Sequence, residues 1–215
     1  MESFEKNKRK ITLSLQIDRG FTLIELLIAM AVGLILLGAM YGVFTMYNKT
    51  VGVQEQIAEM QQTARVAMDI MTREIRMAGY DPTGSASAGI VSASSNALTY
   101  TLDITDAAGT GPPDGDTGDS NEYITYSLYT TYGIQKLGRK STASATNQPV
   151  AEHVQSIAFE YFDEAGTATA TTANIRRIKV TIVVRTSKPD PKYTTNGGYR
   201  TYTLSSVITP RNLGL

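Results

Sequence analysis

The sequence predicts an α+β fold in which one long N-terminal helix packs on an antiparallel β-sheet head. Three observations support this fold class. Residues 21–44 form an apolar run, an amphipathic pattern of helical period continues it to about residue 78, and short segments of strand-like alternation fill the remainder. We therefore divide the chain into a charged leader at residues 1–20, a long helix at residues 21–79 and a β-rich head at residues 80–215.

The apolar run at residues 21–44 is long enough to cross a membrane. As a helix it would extend roughly 36 Å, against about 30 Å for the hydrocarbon core of a bilayer. Its only acidic or basic side chain is Glu25. A carboxylate inside a membrane segment is costly and usually has a functional partner. We therefore predict a transmembrane segment at residues 21–44 and a functional role for Glu25.

Basic side chains in the leader predict the orientation of this segment. Four of the five basic side chains that precede the apolar run form a cluster: Lys6, Lys8, Arg9 and Lys10. Because cytoplasmic flanks of membrane helices are enriched in Lys and Arg, we expect the leader to stay in the cytoplasm. The chain after Phe44 is then expected on the other side of the membrane.

The residues at the start of the apolar run resemble a known signal. The stretch Gly20-Phe21-Thr22-Leu23-Ile24-Glu25, between a charged leader and an apolar helix, is similar to the class III signal of type IV pilins and type II secretion pseudopilins. The resemblance implies that a membrane-embedded prepilin peptidase cuts between Gly20 and Phe21 and N-methylates Phe21. It also implies that Glu25, the fifth residue of the mature chain, acts in assembly.

Electrostatics agrees with this interpretation of Glu25. Cleavage would leave a cationic amine on Phe21, and Glu25 could pair with the amine of a neighbouring copy or with its own. The alternative is an ordinary signal anchor that tolerates one acid. Three glycines in the same run fit either close packing between helices or, by the resemblance, local softening of the helix: Gly33, Gly38 and Gly42.

The second half of the predicted helix carries one apolar stripe. Its members recur at steps of three and four residues: Ile57, Met60, Ala64, Ala67, Met68, Met71, Ile75 and Ala78. We expect this stripe to pack on the head. Asp69 and Arg73 are spaced i,i+4 and are expected to form an exposed ion pair. Gly79 and Pro82 then end the helix, since Gly commonly follows a helix and Pro cannot continue one.

The head is predicted to be a single antiparallel sheet. Alternating or β-branched segments predict its strands at residues 98–104, 122–129, 130–137, 150–162, 175–185 and 199–208, with a short strand at residues 90–91. The segment at 150–162 is treated as one core strand with an irregular start near His153. In the segment at 175–185, Ile178, Val180, Ile182 and Val184 are expected to share the buried face.

Three further segments resemble PilW-type minor pilins. They are residues 65–80, 149–163 and 203–213. Together with the N-terminal signal they imply a pilin-like fold and a minor-pilin role in pilus assembly. A minor pseudopilin of a type II secretion system is the first alternative. A membrane-anchored adhesin or receptor that never polymerises is the second.

The head offers one candidate ligand site and little catalytic chemistry. The Gly-rich loop around Asp114, Asp116, Asp119 and Glu122 suits calcium, although its spacing does not match an EF-hand and its composition is also that of a solvated turn. The chain has no cysteine and a single histidine, His153. These counts exclude disulfides and thiolate catalysis and disfavour a Ser-His hydrolase, so we expect no enzyme.

The charge balance of the chain does not favour nucleic acid as a partner. The formal net charge is zero, and a broadly basic surface is what nucleic-acid binding requires. The local basic group Arg176, Arg177 and Lys179 is interpreted as protection of an edge strand against aggregation. Several tyrosines, Tyr123, Tyr126, Tyr129 and Tyr132, are interpreted as half-buried strand residues.

The implied partners are therefore the prepilin peptidase, an inner-membrane assembly platform, and other major and minor pilins that contact the N-terminal helix. Before assembly we expect a single-pass inner-membrane protein with its head in the periplasm. After assembly we expect it in an extracellular pilus or a periplasmic pseudopilus.

Overall fold

The computed structural model describes residues 20–214, so the predicted leader lies outside the described residues except for Gly20. One α-helix, α1, runs from Leu23 to Arg76. The chain divides into two compact units, one ending at Lys49 and the other beginning at Thr50. The two units are described separately.

The first unit consists of the front of α1. Its apolar side chains are exposed: Phe21 has 91% of its surface accessible, Leu34 has 68% and Tyr47 has 66%. By length and composition, α1 is the one helix among residues 20–214 that could cross a membrane, and none of its most apolar window is buried within the chain. These side chains therefore contribute nothing to a core of their own.

In the second unit, the rest of α1 buries the predicted stripe. Met60, Ala64, Ala67, Met68, Met71, Ile75 and Ala78 are all buried. Asp69 and Arg73 form the predicted ion pair on the exposed side. After the helix, Gly79 has φ of +80°, and a Cβ there would lie 2.7 Å from Leu213 Cδ2. The positive φ favours glycine at this position, and a Cβ would also force the Leu213 side chain to shift.

Five strands form the first antiparallel sheet of the head. In chain order they are β1 (Ile90–Ala93), β2 (Ala97–Thr101), β3 (Tyr123–Thr131), β4 (Ile134–Lys140) and β5 (Gln148–Glu152). Each strand pairs with the next, so β1 and β5 are the edges. The β3–β4 turn is the pair Tyr132-Gly133, and both residues have positive φ, as a two-residue type I′ hairpin turn requires.

Three strands form a second antiparallel sheet. They are β6 (Val154–Phe162), β7 (Arg177–Arg185) and β8 (Thr201–Ile208), with β7 in the centre. Ile178, Val180, Ile182 and Val184 are buried, as the alternation of β7 predicts. Short 3₁₀ helices at Thr172–Asn174 and Asn196–Gly198 lie in the connections.

The prediction of one strand at residues 150–162, in one sheet, is wrong. The segment is broken at His153, whose φ is +56°. This left-handed residue ends β5 in the first sheet and lets β6 begin in the second. Apolar alternation is similar on both sides of the break, so it does not reveal that the two parts pair with different strands.

Other strands begin or end at residues different from those predicted. β2 ends at Thr101 instead of residue 104, since the N–H groups of Ile104 and Thr105 donate to the side-chain Oε1 of Glu122 and not to the backbone of β3. The predicted loop at residues 138–149 is shorter, since residues 138–140 belong to β4 and residues 148–149 to β5. Each shift follows from long-range pairing rather than from local composition.

Candidate functional site

Thr22 and Glu25 form a reciprocal cap at the start of α1. The Thr22 hydroxyl accepts a hydrogen bond from the Glu25 N–H at 3.2 Å. In return, Glu25 Oε2 accepts from the Thr22 N–H and the Thr22 hydroxyl, each at 2.8 Å. This is a capping box, which satisfies backbone donors that the first helical turn leaves unpaired. The sequence analysis did not identify it, although the Thr-x-x-Glu spacing was visible.

The cap leaves one carboxylate oxygen of Glu25 available. Among residues 20–214, no hydrogen bond reaches Glu25 Oε1. Thr22 directly follows Phe21, so the capped carboxylate is held one residue from the nitrogen that peptidase cleavage would expose. Gly20 and Phe21 are both exposed, and a Cβ on Gly20 would meet no atom within 4 Å.

The glycines of the apolar run have no packing role within the chain. A Cβ at Gly33, Gly38 or Gly42 would lie in open space, and α1 continues through all three without interruption. The Thr45 hydroxyl donates to the Gly42 carbonyl at 2.9 Å. The two explanations, helix packing between copies and softening of the helix, both place the cause outside the isolated chain.

Three acidic side chains of the predicted calcium loop converge. Carboxylate oxygens of Asp114, Asp116 and Asp119 all lie within 4.8 Å of one another. Glu122 points elsewhere: it is fully buried, and its Oε1 accepts from the N–H groups of Ile104 and Thr105 at 2.8 and 2.9 Å. Of the four predicted ligands, three are therefore grouped and the fourth holds the loop to the chain after β2.

The neighbouring carboxylates of the loop repel the carboxylate of Asp119. Partial burial raises the pKa of its carboxyl, and the nearby carboxylates of Asp116 and Asp114 raise it further. Its Oδ2 is buried and accepts no hydrogen bond from the described residues. Calcium or protonation would each relieve this repulsion, so calcium binding stays a prediction.

A charged network that the sequence analysis missed joins α1 to the first sheet. Glu74 accepts from the Tyr126 hydroxyl at 2.6 Å and from Arg139 Nε at 2.8 Å. Arg139 Nη1 also donates to Asn121 Oδ1 at 3.1 Å. Burial and the Glu74 carboxylate raise the pKa of Tyr126, so its hydroxyl stays protonated and can donate. Only the pairing of β3 with β4 brings these side chains together.

The interpretation of the basic group as edge protection is wrong. Arg177 and Lys179 lie on β7, which is the central strand of its sheet. Arg177 donates to the Glu164 carbonyl at 2.8 Å, and Lys179 pairs with Glu160 at 2.8 Å. Arg176 donates to the carbonyls of Ala173 and Ile175. These cations are held locally and do not form an open basic surface.

Two of the four tyrosines, Tyr123 and Tyr129, are half-buried as predicted, and two are not. Tyr126 is fully buried, and Tyr123 and Tyr129 are half-buried in β3. Tyr132, however, is 98% exposed at the hairpin turn, because the turn rather than the strand contains it.

Comparison with known proteins supports the N-terminal signal. Residues 16–41 match a family model described as the prokaryotic N-terminal methylation motif. Among solved structures, the chain is similar to a type IV-like pilin from Thermus thermophilus, with 13% sequence identity, a TM-score of 0.43, and coverage of 71% of this chain and 97% of that chain. No curated protein matches the chain.

The matched segment contains Gly20, Phe21 and Glu25, and it ends within the apolar run. The predicted α+β class, a long N-terminal helix with antiparallel sheets, is confirmed. The chain thus has a prokaryotic N-terminal methylation motif at the start of its apolar helix.

Proposed function

We propose that this chain is a minor pilin, a non-catalytic structural subunit that acts in the assembly or initiation of a type IV pilus. The observation that carries the proposal is the methylation motif at residues 16–41, which adjoins a helix whose front exposes its apolar side chains. Such a surface requires either lipid or other subunits to cover it.

Glu25 supports an assembly role through its two oxygens. Oε2 is engaged by Thr22 and holds the side chain at the first turn of α1. Oε1 remains for a second donor, and a cationic amine on Phe21 of a neighbouring copy has the required charge. In lipid this pairing would offset the burial of both groups. The cap thus preorganises the carboxylate before any partner arrives.

The proposed life cycle has two stages. The protein first spans the inner membrane through residues 21–44, with its head in the periplasm, and the prepilin peptidase cleaves after Gly20 and methylates Phe21. An assembly platform then transfers the helix into a filament, where the helices of other pilins replace lipid. The head supplies packing and surface but no catalytic group.

Two other functions use the same N-terminal features. A minor pseudopilin of a type II secretion system would need the same motif and helix, and its dependence on a secretion ATPase rather than a pilus ATPase would identify it. A membrane-anchored adhesin or receptor that does not polymerise would keep residues 1–20 in the mature protein.

Mass spectrometry of the mature N-terminus tests processing. We expect the protein from a peptidase-positive strain to begin at Phe21 and to carry one N-methyl group. Gly20→Val should remain uncut, because a branched side chain replaces the smallest one at the cleavage site. A mature chain that still begins at Met1 would contradict the proposal.

A set of matched variants tests how Glu25 acts. Glu25→Gln can keep the capping box, since Gln also serves at this position, but it removes the charge. Thr22→Ala removes the cap and keeps the charge. If Glu25 pairs with an amine, Glu25→Gln and Glu25→Ala should both lower incorporation into sheared filaments, while Thr22→Ala should have a smaller effect.

The opposite ranking would show that capping alone explains Glu25. In that case Glu25→Gln would assemble normally and Thr22→Ala would fail. Immunoblots of sheared filaments and of membranes, normalised to the amount of processed protein, separate a defect in assembly from a defect in cleavage.

A further inference from the structure

The four sheet edges of the head differ in how they are protected. β1 has only four residues and an irregular register between Ile90 and Ser92. β5 has five residues, includes Pro149 and pairs irregularly with β4. Short strands, bulges and prolines are the usual means of preventing a sheet edge from pairing with another chain. Both edges of the first sheet are therefore protected.

The β6 edge of the second sheet is covered by other parts of the chain. The Phe159 N–H donates to the Ser95 carbonyl at 2.9 Å, and the Tyr161 carbonyl accepts from the Thr169 N–H at 3.0 Å. A bridge between Phe162 and Ala168 extends this cover. The backbone groups of β6 that point away from β7 are thus partly satisfied.

β8 has none of these protections. It has eight residues, pairs with β7 in an unbroken register from Thr201 to Ile208, and contains neither proline nor a charged side chain. No backbone hydrogen bond from outside β7 reaches it among residues 20–214. The charges that the sequence analysis assigned to an edge lie instead on central β7.

The free backbone groups of β8 can be assigned to particular residues. The Thr186 N–H donates to the Arg200 carbonyl, so these two residues form a hydrogen-bonded pair, and such pairs alternate along an antiparallel ladder. Tyr202 and Leu204 therefore bond to β7. Thr203, Ser205 and Val207 direct their N–H and C=O groups away from it, toward the open edge.

We infer that the β8 edge is a docking site for an extended strand of a partner polypeptide. A second backbone in the same extended form can hydrogen-bond to the outward groups of Thr203, Ser205 and Val207 together, in place of water. Half-buried Tyr202 and Leu204 border the edge on the core side. Small polar side chains and the exposed Val207 border it on the other. The partner strand should therefore alternate apolar and small polar residues.

Charge further specifies the partner. Arg185 lies opposite Thr201 across the ladder, and its guanidinium stacks 4.4 Å over the Tyr199 ring. No described carboxylate is within ion-pair distance of it. Lys179, near the other end of the sheet, is already paired with Glu160. An acidic residue at the Thr201 end of the incoming strand would complement Arg185.

Binding of a synthetic strand peptide tests the inference. The probe is the fluorescent peptide Val-Thr-Val-Ser-Val-Thr-Val-Glu, whose C-terminal glutamate lies at the Thr201 end when the peptide pairs antiparallel to β8. The receptor is the full chain in detergent micelles. We expect saturable binding to the parent chain. Thr203→Pro should weaken it by about tenfold or more, because it removes an outward N–H and blocks the edge. The outward direction of that N–H means that no bond to β7 is lost.

Two variants keep the test independent of folding. Thr203→Lys leaves every backbone group in place and should weaken binding through the charge it adds to the edge. Thr130→Lys adds the same charge at an exposed position of β3, in the other sheet, and should leave binding unchanged. Circular dichroism and thermal unfolding verify that all three variants fold.

Hydrogen exchange and charge reversal locate the peptide. The amides of Thr203, Ser205 and Val207 should gain protection on binding, whereas those of Tyr202 and Leu204 are protected beforehand. Replacing the peptide glutamate by lysine should weaken binding to the parent chain but not to Arg185→Gln. Absence of binding to the parent, or equal binding to Thr203→Pro, would overturn the inference. Dimerisation of the chain that Thr203→Pro abolishes would show that the occupant is a second copy and would overturn the choice of partner.

Discussion

The front of α1, up to Lys49, and its back, from Thr50 to Arg76, have the same backbone conformation but different surroundings. The front is apolar on all sides and exposed on all sides. The back is apolar on one stripe, and that stripe is buried in the head. Since the hydrophobic effect depends on area removed from water, only the back half stabilises the isolated chain. The apolar side chains of the front half can contribute stabilisation only when lipid or other subunits cover them.

The largest expected effect comes from a pair of substitutions, one in each half. Met71→Ala removes a fully buried side chain and should lower the free energy of unfolding of the head by about 2–5 kcal/mol. Leu36→Ala, at a position that is 59% exposed, should leave that free energy unchanged. Urea unfolding of the full chain in micelles measures both. Equal losses in the free energy of unfolding would contradict the conclusion that only the back half stabilises the isolated chain.

A smaller effect is expected from the polar contact between the back half and the first sheet. Glu74→Gln leaves the half-buried Arg139 without its carboxylate and should lower the free energy of unfolding by about 1.5–3 kcal/mol. Glu55→Gln is the matched control, because Glu55 is exposed on the same half of α1. If both variants unfold alike, the network contributes nothing beyond apolar packing.

The smallest expected change in stability is an increase, and it comes from a substitution in the acidic loop. The pKa of Asp119 is raised in the folded chain by burial and neighbouring carboxylates. The folded state therefore binds more protons than the unfolded state in the pH range between the ordinary and the raised value. Stability falls as pH rises through that range, and the full cost remains above it. Asp119→Asn should thus raise the unfolding temperature at neutral pH.

The gain from Asp119→Asn should shrink as pH falls through the range between the raised and the ordinary pKa, and it should vanish below the ordinary value, where the parent carboxyl is protonated in both the folded and the unfolded state. A gain that persists in acid would contradict the electrostatic cause. Repeating the measurement with calcium separates the two interpretations of the loop. A cation site predicts that calcium stabilises the parent more than the variant, whereas a solvated turn predicts no difference.

The features predicted correctly are those that depend on residues close in sequence. The Gly20–Glu25 stretch is a contiguous motif, and the stripe ending at Ala78 follows from helical periodicity. The buried face of β7 follows from alternation of period two. In each case local spacing decides which side chains share a surface, so no knowledge of distant contacts is needed.

The features missed depend on pairing between distant segments. The break at His153 assigns one apolar stretch to two sheets, and the Glu74 network needs β3 and β4 side by side. Whether Arg177 and Lys179 protect an edge depends on whether another strand lies beside β7. The Thr22–Glu25 cap is different, because its spacing is local and could have been found.

The sequence by itself determined that this chain has an N-terminal methylation motif, an apolar helix able to cross a membrane and an amphipathic continuation. Only the tertiary structure decided that the head has two sheets, that Glu74 joins the helix to the first of them, and that β8 is the edge left open. Periodicity determines which face of a strand is buried. It does not determine which strand is its neighbour, because backbone pairing carries little sequence signal of its own.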